Sequence, residues 1–379
     1  MAQDVLTEPL ATQKETQEDF MPIRAIDHIE MFVGNAKQAA YYYRSAMGFK
    51  LTAYAGLETG CRDRSSYVLE QGKVRLVLTT PLLKDHPIQE HLATHGDGVK
   101  DIGLEVKNVE SAYREATKRG GIGVQEPREI EDAGGIFRIA SIRTYGDTLH
   151  TFIDRSEYTG FAPGYRTITQ EDKVSRPVGI AAVDHIVGNV GWNEMNRWVK
   201  WYEKVMGFHL FVSFDDKDIS TEYSALMSKV MASSSEKIKF PINEPAAGKK
   251  RSQIEEYIDW YGGPGVQHIA LATGDILATV RQLQSQGVEF LRVPNTYYEE
   301  LESRVGKINE PIEQLAELGI LVDRDDDGYM LQIFTKPVQD RPTLFFEIIQ
   351  RRGGRSFGKG NFKALFEAIE GEQALRGNL

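Results

Sequence analysis

The chain has 379 residues and a formal net charge of -10, long enough for two domains of ordinary size and a substantial core. The acidic balance argues against a nucleic-acid binder, which needs a basic face. No run approaches the roughly 18 consecutive apolar residues of a membrane helix.

The first 20 residues are polar and acidic, lack the apolar core of a secretory signal, and read as a disordered tail. Residues 24–51, RAIDHIEMFVGNAKQAAYYYRSAMGFKL, follow. They read as an apolar strand with Asp-His near its start, an aromatic amphipathic helix, Met-Gly-Phe and a second strand. Cys61 is the only cysteine, so an internal disulfide is impossible and a reducing, cytoplasmic location is expected. Nothing local would activate it as a nucleophile. His91 and His95 are four apart without a third ligand nearby and read as a solvated surface pair. From Gly98, GVKDIGLEVKNVESAYREATKRGG is another strand and helix, and DTLHTFIDR, from Asp147, another strand.

Then the chain repeats itself. RTITQEDKVSRPVG, around Pro177, is polar and turn-rich and reads as a linker. AAVDHIVGNVGWNEMNRWVKWYEKVMGFHL, residues 181–210, matches 24–51. GVQHIALATGDILATVRQLQSQGV, from Gly265, matches the stretch from Gly98, and PTLFFEIIQR, from Pro342, matches that from Asp147. The expected architecture is α+β: two homologous halves, each of paired βαβββ modules forming a curved, open-barrel sheet with helices outside. The boundaries are a tail at 1–20, an N-terminal domain at 21–165, a linker at 166–177 and a C-terminal domain at 178–379.

Aligned positions expose a difference between the halves. His185 matches His28, His268 matches Asp101, and Glu347 falls near Thr151 or Phe152. Glu347 lies in the apolar run LFFEIIQ, where a buried carboxylate needs a proton, an ion pair or a metal. Two imidazoles and a carboxylate are the ligand set of a facial triad on non-haem iron. Strand parity lets His185, His268 and Glu347 face one cavity, with Phe345 on the face of Glu347. Three unrelated buried polar residues are the plain alternative.

VDHIVGNV, FPINEP, GVQHIALAT, the stretch from ELGILVDRDDDGYMLQIF to TLFFEIIQRRG, and FGKGNF together resemble the 4-hydroxyphenylpyruvate dioxygenase family. That family belongs to the vicinal-oxygen-chelate superfamily, and the resemblance runs from about residue 24 to 370. It implies Fe(II) on His185, His268 and Glu347. It also implies an α-keto-acid substrate, 4-hydroxyphenylpyruvate, consumed with O2 to give homogentisate and CO2 in tyrosine catabolism. The polar groups it places near the substrate are Ser228, Asn243, Gln253 and Gln267. Gln267 has the opposite strand parity to His268, which counts against direct contact. Pro241, Gln332, Phe334 and Phe345 would shape the walls, and Phe357 and Phe362 the cover, although each phenylalanine taken alone fits ordinary core. The last segment carries Phe362, Leu365, Phe366 and Ile369 as one helical stripe. The family uses such a helix, here about 361–375, as a lid, and the glycines at 353, 354, 358 and 360 suit a hinge. Where the family often reads GGFGKGNF, this chain reads GGRSFGKGNF.

Three alternatives remain at this stage: 4-hydroxymandelate synthase, a non-catalytic binding protein of the same fold, and an extradiol ring-cleaving dioxygenase. A homo-oligomer, dimer or tetramer, is expected, with no nucleic-acid or membrane partner. Other signals carry no site. DRDDDG, from Asp323, lacks the glutamate of a calcium loop, with Phe334 at that place, and reads as a hairpin turn. GGPG, from Gly262, lacks the lysine of a phosphate loop. Asp259-Trp260-Tyr261 reads as a turn, and His209 as structural.

Overall fold

The structure is a computed structural model that describes residues 19–217, 220–221 and 223–378. The first half carries strands β1 (Ile23–Phe32), β2 (Lys50–Ala55), β3 (Arg64–Gln71), β4 (Val74–Pro81), β5 (Gly98–Val106), β6 (Ile122–Asp132), β7 (Gly135–Arg143), β8 (Leu149–Tyr158) and β9 (Arg166–Thr167). Helices α1 (Ala36–Ser45), α2 (Pro87–His95) and α3 (Val109–Lys118) lie between them. The second half has β10 (Ile180–Asn189), β11 (His209–Phe214), β12 (Ala225–Ala232), β13 (Lys239–Ala246), β14 (Gly265–Thr273), β15 (Leu321–Asp325), β16 (Gly328–Phe334) and β17 (Phe345–Arg352). Its helices are α4 (Met195–Met206), α5 (Gln253–Tyr261), α6 (Ile276–Ser285), α7 (Thr296–Glu299), α8 (Leu301–Val305), α9 (Ile312–Leu318) and α10 (Phe362–Leu375).

Each half is thus strand–helix–three strands, twice over. The nine-stranded sheet runs β6-β7-β8-β5-β1-β4-β3-β2-β9 and the eight-stranded sheet β11-β12-β13-β10-β14-β17-β16-β15. The internal match also reaches the helix starts. Asn108 and Asp275 cap the equivalent helices α3 and α6 by accepting from the backbone N–H three residues on.

Where the two modules of a half meet, β10 pairs antiparallel with β14, and β14 pairs parallel with β17. One row of partners therefore runs His185, Ala270, Glu347, Phe334 across four strands. In the first half the equivalent row is His28, Gly103, Thr151, which fixes Thr151 as the counterpart of Glu347. The main core fills the space between sheets and helices and runs through both halves. A second apolar cluster, including Phe214, Phe334, Phe345, Leu365, Phe366 and Ile369, lies between the eight-stranded sheet and α10.

Several expectations need correction. Residues 1–18 of the tail lie outside the described residues, but Phe20 is packed, with the Arg119 guanidinium 3.6 Å from its ring centroid. The linker region contributes β9, which pairs with β2, and Asp172 accepts a two-pronged bond from Arg44. Asp259-Trp260-Tyr261 is the last turn of α5, because the left-handed C-cap is Gly262. His91 and His95 are buried, not solvated. Both face Asp147, 56 residues along the chain from His91, at 3.1 Å and 3.5 Å, and His95 Nδ1 reaches Tyr261 O of the other half. Lys100 Nζ, 3.0 Å from the same carboxylate, supplies its counter-charge, so this cluster is an ion network joining the halves. His209 sits half-exposed on β11, 3.7 Å from Glu236. DRDDDG is the β15–β16 hairpin turn, as expected.

Candidate metal centre

His185, His268 and Glu347 converge from three neighbouring strands. His185 Nε2 is 3.1 Å and His268 Nε2 3.5 Å from Glu347 Oε2. Their ligand atoms lie within 4.8 Å of one another. All three side chains are buried.

A strand bulge orients each imidazole. In the β10–β14 pairing Val183 faces Leu271 and His185 faces Ala270, so Asp184 is an extra residue. Consecutive side chains of a regular strand point to opposite faces, and a bulge lifts that restriction. Asp184 therefore reaches its neighbour, with Oδ1 2.8 Å from His185 Nδ1. The same pairing skips Gln267 between Val187–His268 and Gly188–Val266. Gln267 Oε1 lies 3.1 Å from His268 Nδ1. Each Nδ1 is thus held by an outer oxygen, which leaves each Nε2 facing Glu347. That arrangement suits a metal ligand.

Electrostatics agree with a cation at this point. Burial drives the His185 imidazole down, but the Glu347 carboxylate and Asp184 outweigh it and lift its pKa to about 9. Burial prevails at His268, which is lowered despite Glu347. Burial raises Glu347, but the two imidazoles overcome this and hold it below the usual carboxylate range. A proton shared toward His185 balances the buried carboxylate, and a metal would replace it. Glu347 Oε1 is buried with no hydrogen-bond partner. That orphan oxygen and the paired Nε2 atoms fit a divalent ion with open positions.

A cavity lies over the triad. Ser228, Pro241, Asn243, Gln253, Gln267, Gln332, Phe334, Phe345, Phe357 and Phe362 all line it. Phe345 stacks on His268 at 4.8 Å between ring centroids, and Phe357 meets His185 edge-on at 5.1 Å. Asn243 Nδ2 donates to Asn189 Oδ1 at 3.3 Å, and Gln267 Nε2 to Gln253 Oε1 at 3.4 Å. Leu365, Phe366 and Ile369 of α10 close one side. Val187, Phe214, Leu226 and Val230 also line it. In sequence they look like any core residue, and no signal distinguishes them.

The cover segment before α10 is fastened by the acidic hairpin. Asp325 Oδ2 accepts from the amides of Arg355 and Ser356, each at 2.6 Å. The Arg355 guanidinium pairs with Glu236, so the two residues added to the usual glycine run are pinned. Beyond α10, Arg376 donates two bonds to Glu256, at 3.1 Å and 2.8 Å.

Similarity to known proteins follows this geometry. The profile of the Glyoxalase/Bleomycin resistance protein/Dioxygenase superfamily matches residues 25–149 and 182–333. A 4-hydroxyphenylpyruvate dioxygenase of Aspergillus fumigatus is 52% identical over 94% of this chain and 94% of its own. One of Yarrowia lipolytica is 51% identical over 97% of each. The chain belongs to the 4-hydroxyphenylpyruvate dioxygenase family. A solved triple mutant of 4-hydroxymandelate synthase from Streptomyces coelicolor superposes with a TM-score of 0.83 at 32% identity, covering 93% of this chain and 100% of that one. For a dioxygenase of this family, the residues sequence reasoning missed are the outer partners, Asp184 and Arg351. Their signal was available: Asp-His recurs in both halves, and both aligned strand endings close on arginine, Arg155 and Arg351.

Proposed function

We propose that the chain is an Fe(II)-dependent 4-hydroxyphenylpyruvate dioxygenase that forms homogentisate and CO2 from 4-hydroxyphenylpyruvate and O2. The observation that carries this reading is the convergence of His185, His268 and Glu347 at the floor of an apolar cavity that also presents a polar wall. His185, His268 and Glu347 would hold Fe(II), which would supply the redox chemistry of the oxidative decarboxylation and ring hydroxylation.

The protein's own residues do the rest. Asp184 and Gln267 fix both imidazoles in the ligating tautomer. Ser228, Asn243, Gln253 and Gln267 orient the phenol end. Phe334, Phe345, Phe357 and Phe362 hold the ring and, with α10, exclude water from the metal face. Residues 178–379 are the catalytic unit, with α10 as lid, and residues 21–165 its non-catalytic support. Among the described residues no helix is long and apolar enough to cross a membrane. A single cysteine suits the reducing, cytoplasmic location we propose for the enzyme. We take it to be a homo-oligomer, to which the exposed Tyr41 of the YYY run is one apolar contribution.

The test is anaerobic loading with Fe(II), addition of 4-hydroxyphenylpyruvate and then oxygen. Homogentisate with stoichiometric oxygen uptake is expected. Hydroxymandelate would reassign the chain to the synthase, and tight binding without turnover would make it a binding protein.

A further inference from the structure

Arg351, at the end of β17, makes two kinds of contact. Its Nε and one terminal nitrogen form a two-pronged pair with Asp184, at 2.7 Å and 2.8 Å, and Asp184 holds His185 Nδ1. Its other terminal nitrogen donates to Ser356 O at 2.7 Å and Gly354 O at 3.2 Å, both in the cover segment. The guanidinium also lies 5.5 Å from the Phe357 ring centroid, and Phe357 touches His185.

The first half supplies an internal comparison. Arg155 pairs with Asp27 at 2.7 Å and 2.6 Å, and Asp27 lies 2.8 Å from His28 Nδ1. Arg155 lies 5.0 Å from the Phe161 ring centroid, and Phe161 meets His28 edge-on at 5.5 Å. The arginine, carboxylate, imidazole and phenyl ring are therefore repeated. What is not repeated is the third contact. The other terminal nitrogen of Arg155 is buried without a partner. Only in the half with the His–His–Glu set does the guanidinium take hold of a mobile-capable, glycine-rich cover.

We propose that Arg351 is a positioning residue that fastens the cover segment 353–357 to the metal ligand His185 through Asp184. Seating Phe357 over the cavity and orienting the imidazole are then one event. The inference rests on the metal-centre reading above. Its chemistry is that of the guanidinium fork, which can satisfy a carboxylate with one edge and two carbonyls with the other. A lysine could keep the charge beside Asp184, but a single ammonium cannot hold both partners at once.

The test uses the full chain, with Co(II) as the spectroscopic probe of the triad. Amide hydrogen exchange across 353–357 reports the cover. Arg351→Gln should raise exchange there by about tenfold or more, the loss of charge-assisted bonds. It should also weaken Co(II) binding by about 10–100-fold, the usual cost of an outer partner of a metal ligand. Arg351→Lys, which keeps a charge beside Asp184, should move both readouts in the same direction but less than Arg351→Gln. Arg155→Gln should change neither. Asp184→Asn attacks the same chain from its other end and should also free the cover, although it touches no residue of that segment. The proposal is overturned if Arg351→Gln moves only one of the two readouts, or if Asp184→Asn leaves exchange at 353–357 as in wild type. A wild-type-like Co(II) spectrum in the His268→Ala variant would instead overturn the metal-centre reading, and this inference with it.

Discussion

Replacing Gly358 with alanine should loosen the lid without unfolding the protein. Gly358 has φ 78° and ψ 35°, where an L-residue costs about 1–2 kcal/mol. A Cβ at this position would lie 2.3 Å from Gln332 Nε2. Gln332 is 2% exposed and lines the cavity, so relieving that clash disturbs the site as well. The penalty falls on the seated segment, since a freed one need not hold a positive φ. A cost of 1–2 kcal/mol lowers the closed population relative to the open one by about 5–30-fold. Gly371 is the control. It sits inside α10 with no atom within 4 Å of a built Cβ, and alanine in a helix interior gains about 0.5–1 kcal/mol. One type of substitution therefore acts on one helix with opposite signs. Hydrogen exchange over 362–375 and kcat/KM should be read together. Gly358→Ala should speed exchange and lower kcat/KM by up to about 30-fold, and Gly371→Ala should slow exchange. The melting temperature should move only about 1–3 °C, given the unfolding entropy of a chain this long. Wild-type protection of α10 in Gly358→Ala, or the same sign from both variants, would refute the reasoning.

Other outcomes follow from the site and the core. A divalent ion at a thousand times its Kd should add about 4 kcal/mol of stability, a rise of about 5 °C in a metal titration. His268→Ala should abolish that rise, and a retained shift would remove His268 from the ligand set. Asn243→Ala removes an amide from the polar wall and unpairs Asn189. Its preference for 4-hydroxyphenylpyruvate over phenylpyruvate should fall by about tenfold, and unchanged kcat/KM ratios would place the phenol elsewhere. His150 is fully buried, accepts from Tyr202 at 2.7 Å, and burial brings its pKa down to about 4. A base depressed on folding stabilises fully above its unfolded pKa of about 6.5 and loses that contribution as pH falls toward 4. Between pH 7.5 and 5 it should account for about 2 kcal/mol of lost stability in urea titrations. Asp101, raised to about 6 by burial, acts in the opposite direction, so the comparison is wild type against His150→Gln. Parallel pH slopes in the two would dismiss the His150 contribution.

The repeat and its differences were legible because they are periodic and local. Asp-His, Met-Gly-Phe and the strand–helix alternation recur in order, so the two-half α+β plan could be read from the sequence, and the family resemblance singled out the three residues proposed as ligands. Pairing register is not local. The bulges that bring Asp184 and Gln267 beside their histidines depend on which residue of the partner strand lies opposite. The same holds for His91 and His95, whose carboxylate comes from a distant loop and whose cover is the other half. The turn expected at 259–261 failed because the helix had a better stop one residue later, the left-handed Gly262. The cavity's aliphatic lining was invisible because a valine facing a pocket and a valine facing a core have the same sequence context.

The two halves also show how little separates a half without the His–His–Glu set from the half that carries it. Both keep the bulged aspartate, the arginine and the first histidine. In the first half Asp101 stands where His268 does and accepts from the Thr151 hydroxyl, in the place of Glu347. Burial raises Asp101 to about 6, with His28 and Thr151 opposing. A hydroxyl on one oxygen and a proton retained in mild acid ease the burial of that carboxyl, whose Oδ1 has no hydrogen-bond partner. In the second half Glu347 sits between two imidazoles whose Nδ1 atoms are held from outside, and its Oε1 has no hydrogen-bond partner. The buried negative charge there is balanced where both Nε2 atoms converge, by a proton toward His185 or by a metal in its place. The fold therefore supplies the orientation in both halves, and the residues at 268 and 347 decide whether that orientation is used.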